Sequence, residues 1–431
     1  MMDSIGRRLL AEASWGVKLR AFSGAALSMT DMASDAYVCF FYLNTEGQEG
    51  YAMGLLAMLF SNIVMQLSLV YIQNRKSRKR RVFREIMIVI TGCKPAVDAY
   101  RVAAGVETEL DGVMDNKVEL VFSKSMELAF ECIPGSILQC YAYSRLFIRT
   151  GAYSKRAAGS IFVSALTAGF VGASIGYDKD VDPKLRKEQP DFYGYIPDGA
   201  RPRTVMFTAM LLNSALLLLL RSVSIALMLL VNVNYLLWYF AADFAAFYLM
   251  KWSMGDLDYW IPVGGRCLGV FTYGIVKFMT DFTGVLQLRS PQELGGAYFS
   301  MNLVVGVAAS FLATYVFLRE GGGKKEGEDG GVLDANIVFG IVGMLAMGWL
   351  LSVVAIFATM KSVYKRTFTS FQTAKANTVQ RFQNCRSDAL RAFIFKKNKE
   401  HWRSIRGEVK LWVESNWWIW KEEVSRGGRE C

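Results

Sequence analysis

The chain alternates long, almost unbroken apolar stretches with short polar joints. VMFTAMLLNSALLLLLRSVSIALMLLV, residues 205–231, is the clearest example, and several stretches exceed the roughly 18 apolar residues expected of a membrane-spanning helix. Read in order, two spans near 22–43 and 51–73 are joined by the acidic turn NTEGQEG and followed by the basic block NRKSRKRRVFR at 74–84. The next apolar piece, EIMIVITGCKPAVDAYRVAAG, is broken by Pro95 and too short to cross, which predicts an interfacial or re-entrant element. A third membrane element lies near 118–148 and a fourth span at 156–177, where the pairs Gly169/Ala173 and Gly172/Gly176 invite a close helix neighbour. After an ordered, proline-rich loop come spans at 204–231 and 233–253, a Gly-broken re-entrant stretch at 264–287, and spans at 293–318 and 335–360, the last two separated by the linker REGGGKKEGEDGG.

The pattern predicts an all-α polytopic membrane protein of about eight transmembrane helices plus re-entrant or interfacial helices. It divides into a cytoplasmic N-terminal segment at 1–21, a transmembrane domain at 22–360 and a tail at 361–431. The N-terminal residues are too polar for the apolar core of a signal peptide, so the first span is expected to direct insertion.

Charge orients this arrangement. Of the net charge of +11, the tail holds 16 Lys/Arg against 7 Asp/Glu, or +9. The positive-inside rule puts the tail, the 74–84 block and the Arg7/Arg8/Lys18/Arg20 end in the cytoplasm, of a plasma membrane or an endomembrane. The expected partners are membrane phospholipids, with anionic lipid at the tail and at 74–84, and not nucleic acid; an accessory subunit or a homo-oligomer is left open. In the tail, Trp402, Ile405, Val409, Trp412, Val413 and Trp420 fall on one helical stripe, which fits either an interfacial helix or one packed back on the protein.

Residue counts remove whole classes of chemistry. Seven cysteines form no C-x-x-C pair, and the single histidine, His401, lies in the polar tail. Zinc sites and histidine-based nucleophilic catalysis have no candidates here, so no metal, cofactor or catalytic residue is expected. DKDVDPKLRKEQ (178–189) starts like a calcium loop, but Pro183 and Gln189 occupy the glycine and closing glutamate positions.

Polar residues inside the apolar runs carry the remaining information. Asp31/Asp35, Asn62/Gln66, Glu127/Glu131 and Lys277/Asp281 are each four residues apart and so share a helix face. Arg221 is the most isolated cation, with Asp243 as its expected counterpart, and Lys124 shares a face with Glu127 and Glu131. A charge at the bilayer centre costs about 2.5–3.5 kcal/mol on insertion scales, so such residues should face partners or water. Three interpretations compete: closed ion networks that fix packing, a catalytic pair of carboxylates, for which Glu127 and Glu131 have no histidine, metal-ligand set or nucleophile motif beside them, and a polar track across the membrane, which the repetition of such pairs favours.

Four segments resemble the XK-related membrane proteins, the family that includes apoptotic phospholipid scramblases: TDMASDAYVCFFYL (30–43), ELAFECIPGSILQCY (127–141), SALTAGFVGASIGYDKDVDPKLR (164–186) and LLRSVSIALMLL (219–230). The resemblance covers roughly 24–240. It implies an α-helical fold and lipid scrambling, with Asp31, Asp35, Glu127, Glu131 and Arg221 as intramembrane charges and Pro134 and Gln139 matching the third element. Gly135 stands where the family usually has glutamine. The expected function is ATP-independent movement of phospholipids between leaflets along a hydrophilic groove, with Pro134 breaking the helix there. The alternatives are an ion channel or ion-coupled transporter, or a structural membrane protein with buried ion pairs.

Overall fold

The computed structural model describes residues 2–74, 79–104, 116–150, 154–183, 186, 194–253, 274, 277–284, 296–320 and 335–360. The tail stripe, the linker at 321–334, much of the proline-rich loop and most of the predicted re-entrant stretch at 264–287 lie outside these residues. Among the described residues every regular element is helical, and four helices are long and apolar enough to cross a membrane: Glu49–Tyr71, Lys155–Val181, Ala200–Val231 and Asn336–Thr359.

The first span belongs to a longer helix, α1 (Met2–Leu43), which runs back through the N-terminal segment. A tight turn at 44–48 leads into α2 (Glu49–Asn74). The short apolar piece predicted not to cross forms two helices, α3 (Lys79–Ile90) and α4 (Lys94–Ala103). Gly92, at φ +70, turns the chain between them, and a Cβ there would collide with the Met32 side chain of α1.

Residues 116–150 make one winding column in three pieces, α5 (Asn116–Glu127), a single π-helical turn (Leu128–Cys132) and α6 (Ile133–Thr150). Pro134 does not break the helix, contrary to the sequence-based expectation. Lacking an N–H, it cannot satisfy the Phe130 carbonyl, and the chain responds by widening the turn, so that the Ile133 N–H bonds to the carbonyl of Leu128, five residues back.

Helix α7 (Lys155–Val181), N-capped by Ser154, and α8 (Ala200–Val231) form the centre. Their approach is as close as the glycine spacing predicts: a Cβ on Gly169 would lie 2.8 Å from both the Leu211 carbonyl oxygen and the Ala215 Cβ. Around α8 pack α6, α7, α9 (Val233–Ser253), α10 (Gly296–Arg319) and α11 (Ala335–Thr359). The core between them is apolar, with Leu128, Ile133, Ala168, Leu218, Ile225 and Phe282 in one cluster. Outward positions are apolar too, including Trp238 on α9 and Met344, Met347 and Leu351 on α11, as a lipid-facing surface requires.

Helix ends sort to two edges of the bundle. At one, Arg20 of α1 bonds Asp178 of α7 at 2.6 Å and stacks over Tyr177, while Ile356 of α11 packs with Met206 of α8 and Ile196. At the other, Phe147 of α6, Leu227 and Val231 of α8, Phe317 of α10 and Val338 of α11 meet. The acidic start of the 178–189 loop is used for fastening. Asp180 accepts the backbone N–H groups of Gly194, Tyr195 and Ile196 at 3.0, 3.2 and 2.8 Å, and Arg186 reaches Asp198 at 2.6 Å and the Ile196 carbonyl at 2.8 Å.

Candidate functional site

All twelve polar residues singled out inside the apolar runs are buried, and they fall into two clusters. The first gathers around α1. Asp31 lies about 16 Å of helical rise beyond Arg20 and Asp35 about 12 Å before Leu43, so both sit well inside the helix, away from the two edges of the bundle. Asp31 accepts Ser164 of α7 at 2.6 Å and the Cys132 thiol at 3.5 Å; Asp35 accepts Gln139 of α6 at 2.8 Å and Ser160 of α7 at 3.1 Å. On the α5–α6 column, Lys124 bonds Glu127 at 2.9 Å and also donates to Ser28 of α1. Glu131 accepts from Asn62 of α2, whose own carbonyl oxygen takes the Gln66 amide at 3.1 Å.

The single network of Lys124, Glu127 and Glu131 expected from their spacing is therefore split. Glu131 lies within the π turn, which directs it to α2, while Glu127, just before the turn, stays with Lys124. Asp31 and Asp35, Asn62 and Gln66, and Gln139 face this one site from three other segments.

The second cluster joins α8, α9 and the helical segment 277–283. Lys277 bonds Asp243 at 2.6 Å and Asp281 at 2.5 Å, and its ammonium lies 5.3 and 5.4 Å from the ring centres of Phe244 and Phe247. Arg221 donates to Tyr239 of α9, and α10 passes close over its guanidinium at Gly306, where a Cβ would lie 3.5 Å from Nη2. The direct ion-pair partner of Asp243 is thus Lys277. The Tyr239 hydroxyl gives the guanidinium a hydrogen-bond acceptor, while Lys277 takes the close ion pairs with the two aspartates.

The clusters differ in charge balance. Among the described residues of the second, Asp243 and Asp281 offset Lys277 and Arg221. In the first, Asp31, Asp35, Glu127 and Glu131 face Lys124 alone among the described residues, four carboxylates against one ammonium. Balanced buried charges can close on themselves; a surplus of three in a low-dielectric site calls for protons or a cationic group from elsewhere. No cluster of His, Cys, Asp and Glu among the described residues is arranged to hold a metal ion.

A third network escaped the spacing argument. Lys94, at the start of α4, bonds Asp98 at 2.7 Å and Glu119 of α5 at 2.5 Å and lies 4.0 Å from Glu85 of α3. Arg101 pairs with Glu85 and lies 3.5 Å from Asp98. Its signals in the sequence are Lys94/Asp98 and Asp98/Arg101 at helical spacing and Glu85 ahead of an apolar run, all outside the long spans.

No family model matches the chain, and neither does any curated protein.

Proposed function

We propose that this is a membrane protein that moves phospholipids between leaflets without ATP, with the acidic cluster of Asp31, Asp35, Glu127 and Glu131 receiving the headgroup amine in transit. The supporting observation is the surplus of three carboxylates among the described residues, buried at the junction of four helical segments. An ammonium entering this site meets the countercharge that the site lacks, which lowers the desolvation cost of a headgroup crossing the bilayer. The resemblance to XK-related proteins leads to the same activity and to these residues. The proposal includes about eight crossings with both termini cytoplasmic, on the charge bias of the loops.

The test is dye-lipid flip in liposomes containing the purified protein. Amine-bearing probes, choline, ethanolamine or serine, should flip faster than a glycerol-headgroup probe, and D31N and E131Q should reduce that preference while the protein remains folded. Equal rates for all headgroups, or rates indifferent to both variants, would reject the amine role.

One observation favours a second reading. The acidic side chains are enclosed, with Asp31 and Asp35 only 1% and 2% exposed, and an enclosed acidic site also suits a small cation in a channel or ion-coupled transporter. Liposomes that pass cations but flip no lipid would establish that reading.

A further inference from the structure

The α3–α4 hairpin has features that neither the spans nor the acidic cluster use. Lys79, Arg80, Phe83, Arg84, Met87 and Ile90 form the exposed face of α3. This face is graded along its axis, with the three cations toward the N-terminal end and Met87 and Ile90 toward the turn. That turn rests against Met32, about 18 Å of helical rise beyond Arg20. A helix that is basic at its outer end and apolar at its inner end fits an oblique entry into one leaflet, cations among the headgroups and Ile90 among the acyl chains.

The opposite face of α3 carries buried Glu85, where a chain of ion pairs begins. Arg84 lies 3.6 Å from Glu85, and Glu85 holds Arg101 and lies 4.0 Å from Lys94. Lys94 in turn grips Asp98 and, at 2.5 Å, Glu119 of α5. Five residues further along α5, Lys124 is bonded to Glu127 and Ser28 at the edge of the acidic cluster. Exposed Arg84 therefore stands at one end of a run of ion pairs that reaches Glu119, and helix α5 itself joins Glu119 to Lys124 and the π turn.

We infer that the α3 face of the hairpin binds anionic phospholipid headgroups of the leaflet it enters, and that this binding is transmitted through Glu85, Lys94 and Glu119 to α5 and the acidic cluster. Charge complementarity selects the occupant, since three cations on one face attract an anionic leaflet by about 1 kcal/mol, or about fivefold, each. The coupling arises because Arg84 has two competing partners. A phosphate or carboxylate in the headgroup layer draws it from Glu85, Glu85 then turns its full charge on Arg101 and Lys94, and the hold of Lys94 on Glu119 changes with it. A ligand biases a conformation only through such differential contact. The lipid contact stands apart from the proposed transport; only the claim that anionic lipid tunes lipid flip rests on that function.

The experiment uses the full chain in nanodiscs of phosphatidylcholine alone and with added phosphatidylserine, read by amide hydrogen exchange. Phosphatidylserine should slow exchange about fivefold or more over Lys79–Ile90 and produce a smaller slowing over Asn116–Cys132, both lost in the variant K79Q/R80Q/R84Q and both eroded by 0.5 M salt. These side chains are exposed, so this variant should melt as wild type does in phosphatidylcholine. E119Q should keep the slowing on α3 and lose it on α5. Identical exchange in the two lipids, or a response that persists in the triple variant, overturns the lipid site. An α3 response with none on α5 in wild type overturns the transmission. Because exchange is read without any transport, absence of lipid flip would count against the proposed function and leave this inference standing or falling on its own result.

Discussion

Lys277→Met is the sharpest test of the division between a charge-balanced cluster that holds the bundle together and the unbalanced one to which the transit role is proposed. The ammonium bridges Asp243 at 2.6 Å and Asp281 at 2.5 Å and lies over two phenylalanine rings, with 1% of its surface exposed. Methionine fills nearly the same volume, so the packing survives and the loss is electrostatic. Removing one partner of a buried ion pair costs about 3–5 kcal/mol, because the remaining charge is stranded, and here two carboxylates lose their ammonium together. The purified protein in detergent should show a fall in unfolding midpoint on the order of 10 °C. Adding D243N and D281N to K277M should restore most of it, since a buried ionic group replaced as a whole by neutral residues is often no less stable. D31N is the counterpart: it reduces a surplus of negative charge, leaves an acceptor for Ser164, and should hold or raise the midpoint. A K277M midpoint equal to wild type, or a D31N loss as large as that of K277M, would refute the division.

Helix contact and topology give two further tests. G169A should destabilise by about 1–3 kcal/mol in the same melt, because its Cβ would lie 2.8 Å from the Leu211 carbonyl, whereas G340A, with open space around it, should be neutral or slightly stabilising; equal effects would show that close α7–α8 contact does not limit stability. Epitope tags in intact cells should leave 74–84 unlabelled from outside and 319–334 labelled, and external labelling at 74–84 would reverse the orientation on which the proposed function is drawn.

Apolar runs made the helices legible because length and hydrophobicity alone decide whether a segment can cross a bilayer, and the small residues of α7 announced a close neighbour for the same steric reason that Gly169 now abuts α8. Helical periodicity also made the inward direction of Asp31, Asp35, Asn62 and Gln66 legible, since i and i+4 share a face. Partner identity was not. Asn62 meets Glu131 across 69 positions and Gln139 meets Asp35 across 104, and no local rule says which of several inward-facing polar groups will pair. Arg221 illustrates the ambiguity: its distance from other charges along the chain made Asp243 look like its partner, but a tyrosine eighteen positions away takes its hydrogen bond while Lys277 takes the aspartate.

Proline was the one local signal whose consequence was misjudged, and the misjudgement bears on mechanism. A broken helix at Pro134 would have opened backbone carbonyls to the membrane interior, whereas the π turn keeps the column continuous and spends the irregularity on direction. Glu127 remains beside Lys124, and Glu131 is turned to Asn62 on a different helix. Under the proposed transit role, Glu131 is thus an anionic group that a widened turn presents to α2 while the flanking helices stay continuous.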